Sequence, residues 1–149
     1  MNRHAYRLTQ RFAFRYGSDT RGICPFMPVR NAEVILCPQL PTTLPSLVEI
    51  MADQHVGPDQ AVERILGASD TLPETGHIYT ACAEREGMRY AAAFERLLTG
   101  WRTQGYAPCA LEEFLLDMNL ACLPRHSVLQ STVLGRSHTV AVQGPEFLA

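Results

Sequence analysis

The stretch HIYTACAEREGMRYAAAFERLLTGWRTQ, residues 77–104, contains the two patterns that decide the fold. Its first seven residues form an apolar run, which is typical of a strand buried on both faces. From about residue 89 to residue 104, apolar side chains recur at the i, i+3, i+4 and i+7 spacing of an amphipathic helix: Phe94, Leu97, Leu98 and Trp101. We expect these four side chains to pack in the core. A buried strand followed by such a helix is characteristic of α/β proteins.

Related patterns occur along the rest of the chain. Residues 34–37 (VILC) predict a second buried strand, whereas residues 38–45 (PQLPTTLP) contain too much proline for a helix. Helices are predicted over residues 3–12, from Pro45 or Ser46 onward, from Pro58 to Gly67 and around residues 111–118. Strands are predicted over 12–16, 128–134 and 139–142, and residues 23–30 predict an irregular loop. The predicted fold class is α/β, a layer or a piece of a barrel, in one domain.

The composition excludes several classes of function. A formal net charge of −2 and a pI near 6.2 argue against a nucleic-acid-binding protein, which usually carries a basic surplus. All 13 basic residues are arginines, so Schiff-base and P-loop chemistry, which need lysine, are excluded. No apolar run is long enough to cross a bilayer, and no signal peptide is evident. The odd number of cysteines, 5, favours reduced thiols in the cytosol.

The cysteines and histidines show no metal-binding pattern. There is no CxxC pair and no HExxH motif, so the spacing predicts no metal site. Four of the cysteines are expected to fill the core as small apolar residues: Cys24, Cys37, Cys109 and Cys122. Cys82 lies inside the predicted strand of residues 77–83, where it is either a buried inert thiol or a nucleophile that needs a neighbouring base.

Three polar loops follow the predicted strands and form the candidate site. They contain Asp19 (residues 17–22), Gln39 (residues 38–45) and Glu84 (residues 84–87). In α/β folds, ligands bind at the loops that follow the carboxyl ends of strands. Each polar residue also has a structural interpretation, because Asp caps turns and Glu84 is often simply a solvated carboxylate.

The same loops resemble the polysaccharide deacetylase (NodB-homology) superfamily. The similar stretches are FRYGSDTRG (14–22), PFMPV (25–29), PQLPTTLP (38–45) and IYTACAEREG (78–87), followed by FERLL (94–98), residues 105–106 and, weakly, residues 135–136. Within the superfamily, the order of motifs is similar to that of deformylases that act on a lipid-linked formamido-arabinose in lipid A biosynthesis. The similarity extends over nearly the whole chain.

This resemblance implies a fold, a reaction and a location. It implies the C-terminal half of a distorted (β/α)7 barrel, and hydrolysis of an N-formyl or N-acetyl group with a divalent metal such as zinc. It also implies an amino-sugar carried on undecaprenyl phosphate, in the cytoplasm or peripheral to the inner membrane. The substrate-binding residues that it suggests are Asp19, Arg21, Gln39, Thr43 and Glu84, and Cys82 stands where the family has a catalytic histidine. Arg21 could bind phosphate or pair with Asp19, or be a solvated charge; Gln39 and Thr43 could equally be ordinary loop residues.

Two departures from the family pattern change the expected activity. The Asp and His residues that hold the family's metal belong to a half that this sequence does not contain, and a thiol replaces the late histidine. We therefore expect no metal cofactor on this chain and no hydrolysis by the chain alone. Three hypotheses follow: a half-enzyme that needs an N-terminal half in trans, a non-catalytic protein that binds a sugar or a lipid phosphate, or a truncated gene product. Open strand edges predict self-association.

Overall fold

The computed structural model describes residues 3–71, 73 and 75–147. The helices and strands in this part of the chain are, in order, α1 (Arg3–Arg11), β1 (Met27–Arg30), β2 (Glu33–Val34), α2 (Leu47–Gln54), α3 (Pro58–Ala68), a π-helical turn (Arg85–Arg89), α4 (Ala91–Thr103), α5 (Leu111–Leu116), a 3₁₀ turn (Leu120–Cys122), β3 (Arg125–Thr132) and β4 (Thr139–Glu146). They fall into two compact units. Unit 1 comprises residues 1–43, 110–132 and 138–149, and unit 2 comprises residues 44–109 and 133–137.

Unit 1 is built on a four-stranded mixed sheet in the order β2-β1-β3-β4. β1 pairs antiparallel with β2 and parallel with β3, which in turn pairs antiparallel with β4. The turn between β1 and β2 consists of Asn31 and Ala32, and both residues have positive φ (53° and 62°). Two consecutive positive φ values match the turn type that fits the twist of a two-residue hairpin. Tyr6, Ile35 and Cys37 form a small buried cluster, with Val128 packed against it.

Unit 2 is a group of packed helices with an apolar interior. Leu47, Val62, Ile65, Leu97 and Trp101 are among the buried side chains of this core. The helix boundaries follow from local chemistry. At the start of α2, the Ser46 hydroxyl accepts from the Glu49 N–H and the Glu49 carboxylate accepts from the Ser46 N–H, which is a capping box. Pro58 occupies the first turn of α3, where a missing N–H costs nothing.

The helices confirm the predictions made from periodicity. The predicted helix over about 89–104 is α4, and Trp101 and Leu97 lie in the core while Phe94 and Leu98 pack against it. Gly105, predicted to end this helix, has a φ of +93°. The two strands predicted near the C-terminus correspond to β3 and β4. β3 starts earlier than its pattern indicated, and β4 ends later.

Several predicted strands are wrong. Residues 77–83 form no strand, and only Ile78 of this run is buried. In the run 34–37 only Val34 belongs to a strand, β2, and Leu36 is exposed. Residues 12–16 form the turn after α1 and an irregular segment. Conversely, the loop predicted over 23–30 ends in β1. A short apolar run does not by itself specify a strand, and the proline-containing segment forms β1 because β2 and β3 flank it.

The described residues confirm a mixed α/β architecture. Their sheet is open, with β2 and β4 at its two edges. The barrel predicted from the family resemblance therefore stays a prediction. None of the helices in the described part of the chain combines the length and the apolar character needed to span a bilayer.

Candidate functional site

Two irregular segments of unit 1, residues 17–22 and 38–42, run side by side and bring predicted site residues together. The Gly17 N–H donates to the Pro38 carbonyl at 2.9 Å, and the Leu40 N–H donates to the Gly17 carbonyl at 2.8 Å. Further along, the Thr42 N–H donates to the Thr20 carbonyl at 2.9 Å. This pairing places Asp19 beside Gln39, as the sequence predicted for the two loops.

The Gln39 side chain is completely buried and only half satisfied. Its Oε1 accepts from the Asp19 N–H at 3.3 Å and from the Thr20 hydroxyl at 3.4 Å. Its Nε2 is buried and has no hydrogen-bond partner among the described residues. A buried donor without an acceptor costs on the order of 1–3 kcal/mol, so its presence requires an explanation.

Gly17 allows the polar groups of Gln39 and Asp19 to approach the backbone. A Cβ atom at position 17 would lie 2.4 Å from Gln39 Nε2 and 3.1 Å from Asp19 Oδ2. Any side chain here would therefore displace the amide, and glycine is required for close approach. The unpaired donor of Gln39 and the carboxylate of Asp19 flank the same small region beside Gly17.

Of the other two predicted residues of unit 1, Arg21 lies on the first of these segments and Thr43 follows the second. The main chain of Arg21 is fixed on both sides: its N–H donates to the Ala141 carbonyl at 2.9 Å, and its carbonyl accepts from the Gln143 N–H at 2.7 Å. The Arg21 and Thr43 side chains are half-buried. Arg21 and Thr43 thus stay candidate residues by their position in the sequence next to Asp19 and Gln39.

A buried phenol and a buried thiol lie within the electrostatic influence of Asp19. Burial raises the pKa of Tyr6 to about 12; the Asp19 carboxylate adds to this rise, and the Arg30 guanidinium, 5.7 Å from the centre of the Tyr6 ring, opposes it. Burial likewise raises the pKa of Cys37. Both groups stay protonated at neutral pH, so neither serves as an anionic nucleophile. Tyr6 Oη and Arg30 Nη1 are buried without a hydrogen-bond partner in the part of the chain that the structure describes.

Cys82 and Glu84 belong to unit 2, and both are exposed. The predicted buried, inert environment of Cys82 is therefore wrong, because residues 77–83 do not form the strand on which that prediction depended. The prediction for the other cysteines is correct for Cys37 alone: Cys24 is partly buried, and Cys109 and Cys122 are exposed. A cysteine is exposed where the surrounding chain forms an exposed turn, although its side chain is largely apolar.

Glu86 is a structural residue of this region that sequence reasoning missed. Its side chain is only 1% exposed, and its carboxylate accepts from the Cys82 N–H at 2.9 Å and from the Tyr79 hydroxyl at 3.3 Å. The Tyr79 oxygen in turn accepts from the Leu47 N–H at 3.1 Å. These bonds fix the turn that carries Cys82 to the start of α2. In the sequence, Glu86 was one charge of the run EREG and had no feature to distinguish it from a solvated carboxylate.

The residues present do not fit the divalent metal that the family resemblance implies. In the described part of the chain, no group of three or more His, Cys, Asp or Glu side chains is arranged so that it could hold a metal ion. A stable metal site needs several such ligands at coordination distance. The candidate region of unit 1 instead contains the amide of Gln39 and the carboxylate of Asp19, groups that can form hydrogen bonds with a polar ligand.

No family model matches the chain, but curated proteins with similar sequences are known. One similar protein comes from Shewanella sediminis (strain HAW-EB3) and is described as a probable 4-deoxy-4-formamido-L-arabinose-phosphoundecaprenol deformylase, ArnD. It is 35% identical to this chain over 89 residues, which are 60% of this chain and 27% of that protein. A protein of Wigglesworthia glossinidia brevipalpis with the same description is 29% identical over 139 residues, 91% of this chain and 46% of that protein. The chain thus spans less than half the length of these curated relatives.

Proposed function

We propose that this chain recognises the amino-sugar of a lipid-linked sugar phosphate, as part of a deformylase-type system for lipid A modification. The buried, unpaired Nε2 of Gln39 beside the Asp19 carboxylate carries the proposal. The similarity to two proteins described as ArnD deformylases supports the class of substrate, a 4-formamido-arabinose on undecaprenyl phosphate. The proposed location is the cytoplasmic side of the inner membrane, where such a substrate would be presented.

The chemistry of the site suits a neutral sugar. An amide N–H donates to a hydroxyl or formamido oxygen, and a carboxylate accepts from a hydroxyl or from the formamido N–H. Asp19 and Gln39 therefore offer complementary partners to one sugar face. Because Gln39 Nε2 is covered, ligand entry requires a local shift of residues 17–19, after which the ligand oxygen satisfies the unpaired donor. Arg21, two residues after Asp19, is suited to the phosphate.

Hydrolysis is a separate step for which the described residues supply no metal site. Metal-dependent amide hydrolysis needs an ion that polarises the carbonyl and activates water. We propose that a complementing chain with the metal ligands is the partner in hydrolysis. The chain alone, with added zinc, cobalt or manganese, is then expected to bind the sugar without releasing formate.

Isothermal titration with 4-deoxy-4-formamido-L-arabinose 1-phosphate tests the binding proposal. Gln39→Met keeps the length of the side chain but removes its amide. The affinity for the sugar is expected to fall by about tenfold, because one or two hydrogen bonds to the ligand are lost. Asp19→Asn is expected to lower the affinity by a similar factor. Gln60→Met, at an exposed position of α3, is the matched control and is expected to leave binding unchanged.

Two results would count against the proposal. Equal binding by the parent chain and by Gln39→Met would show that the unpaired amide has no part in recognition. Release of formate by the purified chain in the presence of metal would show a hydrolytic site that the described residues do not form. Thermal unfolding of each variant establishes that a loss of affinity is not a loss of folded protein.

A further inference from the structure

An exposed surface at α1 combines apolar and basic side chains. Leu8, Phe12 and Phe14 are 45%, 66% and 57% exposed, although large apolar side chains normally pack inside. Three exposed arginines alternate with them in the sequence: Arg7, Arg11 and Arg15. We call these six residues the α1 surface.

The helical geometry groups four of these residues on one side of α1. At 100° per residue, positions 7, 8, 11 and 12 span less than half the circumference. The buried residues Tyr6 and Thr9 face the opposite side. A groove of about 470 Å³, lined by Arg7, Leu8, Gln10, Arg11 and Glu33, adjoins this face. Two guanidinium groups thus border an open groove beside exposed apolar side chains.

The turn after α1 exposes both phenylalanines. Ala13 has a φ of 51°, in the left-handed region. The Phe14 N–H donates to the Thr9 carbonyl at 2.9 Å and the Ala13 N–H donates to the Gln10 carbonyl at 3.1 Å, which together form a Schellman motif. The apolar residue after such a motif usually packs back on its own helix, but Phe14 remains more than half exposed.

The charges near the α1 surface leave a positive excess. Arg7 pairs with Glu33 at 3.1 Å, and Arg15 pairs with Glu112, all four side chains being exposed. Arg11 forms no ion pair with any residue that the structure describes. Exposed pairs of this kind are weak, so an external anion can compete for each arginine.

We propose that the α1 surface docks onto an anionic phospholipid bilayer. Phe and Leu side chains insert at the boundary between headgroups and acyl chains, and arginines bind the phosphates at the same depth. The positive excess left by Arg11 and the protruding phenylalanines together complement the phosphates and the acyl boundary of an anionic bilayer. This inference is independent of the sugar site at Asp19 and Gln39.

Vesicle flotation with the full chain tests the proposal. The chain is expected to float with phosphatidylcholine vesicles that contain phosphatidylglycerol, and not with pure phosphatidylcholine. Phe12→Ser/Phe14→Ser is expected to reduce the bound fraction by about tenfold or more, and Arg11→Gln by about fivefold, with the remaining binding lost at high salt. Leu134→Ser and Arg102→Gln alter equally exposed residues outside the α1 surface and are the matched controls.

Other outcomes overturn the proposal. Equal flotation with both vesicle types, or unchanged flotation of Phe12→Ser/Phe14→Ser, would show that the α1 surface does not recognise anionic lipid. If that double variant instead abolishes a dimer seen by size-exclusion chromatography with light scattering, and the parent chain does not float, the occupant is a second copy of the chain. The sites are exposed, so the variants are expected to fold; Arg11→Gln tests the same surface without altering its apolar part.

Discussion

The interiors of the two units differ in whether their buried polar atoms have hydrogen-bond partners. The core of unit 2 contains aliphatic and aromatic side chains from α2, α3 and α4, and the indole N–H of Trp101 donates to the Ser69 hydroxyl at 3.0 Å. The interior of unit 1 instead contains three buried polar atoms without partners among the described residues, in Tyr6, Arg30 and Gln39. Buried polar groups of unit 2, such as the Glu86 carboxylate, have hydrogen-bond partners, whereas the unpaired polar atoms of unit 1 lower its stability. Such a cost is typical of a region maintained for binding.

The largest expected effect is the loss of a core side chain from unit 2. Leu97→Ala removes a completely buried side chain of α4 and is expected to lower the free energy of unfolding by about 2–5 kcal/mol, through lost burial and the cavity that remains. Urea-induced unfolding followed by circular dichroism measures the change. Met88→Ala, at a position 74% exposed in the same unit, is the control and is expected to change stability by less than about 0.5 kcal/mol. Similar losses for both variants would contradict an ordered apolar core in this unit.

A smaller loss of unfolding free energy is expected at alkaline pH, because the Tyr6 phenol is buried in unit 1. Because burial raises the pKa of Tyr6 from 10.0 to about 12, the unfolded chain loses the phenolic proton first as the pH rises. This contribution to the free energy of unfolding is complete below pH 10 and is lost between about pH 10 and pH 12, a loss of about 3 kcal/mol in total. Tyr6→Phe is expected to reduce this alkaline slope of unfolding free energy, measured in urea at several pH values.

Tyr79 provides the corresponding test in unit 2. Burial also raises the pKa of Tyr79, so Tyr6→Phe is expected to leave part of the alkaline slope, which Tyr79→Phe removes. An unchanged slope in Tyr6→Phe would show that the Tyr6 hydroxyl is accessible to solvent in the folded protein, contrary to its complete burial in unit 1.

The helices were predictable from the sequence because their pattern is local. The spacing of Phe94, Leu97 and Trp101 specifies a helix whatever its neighbours are, and Pro58 and Ser46 mark helix starts by their own chemistry. A strand depends on a partner that short-range patterns do not reveal. The run at residues 77–83 has the composition of a strand but belongs to no strand of the described sheet, although the Leu44 N–H donates to the Ile78 carbonyl at 3.4 Å. β1, by contrast, forms despite Pro28 because β2 and β3 flank it.

The candidate site was predictable only in part. Asp19 and Gln39 were expected in one site because both lie in polar loops, and the structure does bring them together. The roles of Glu86, Tyr6 and Arg30 depend on burial and on partners distant in the sequence, so their residue types alone gave no signal. The exposure of Cys82 was missed for the same reason, since residues 77–83 do not form the predicted strand.

The smallest expected effect concerns the strained turn that follows α1 in unit 1. Ala13 occupies the left-handed region, which costs an alanine about 1 kcal/mol and a glycine almost nothing. Ala13→Gly is therefore expected to raise the free energy of unfolding by up to about 1 kcal/mol, an increase partly offset by the greater entropy of the unfolded glycine chain.

Two further variants serve as comparisons. Ala32→Gly relieves a similar strain in the β1–β2 turn and is expected to raise the free energy of unfolding in the same way. Ala92→Gly, at an exposed position of α4, is expected to lower it by about 1 kcal/mol. A loss of stability in Ala13→Gly as large as that of Ala92→Gly would mean that residue 13 is helical. In that case α1 would continue past Arg11, and Phe12 and Phe14 would no longer project from the turn as the α1 surface requires.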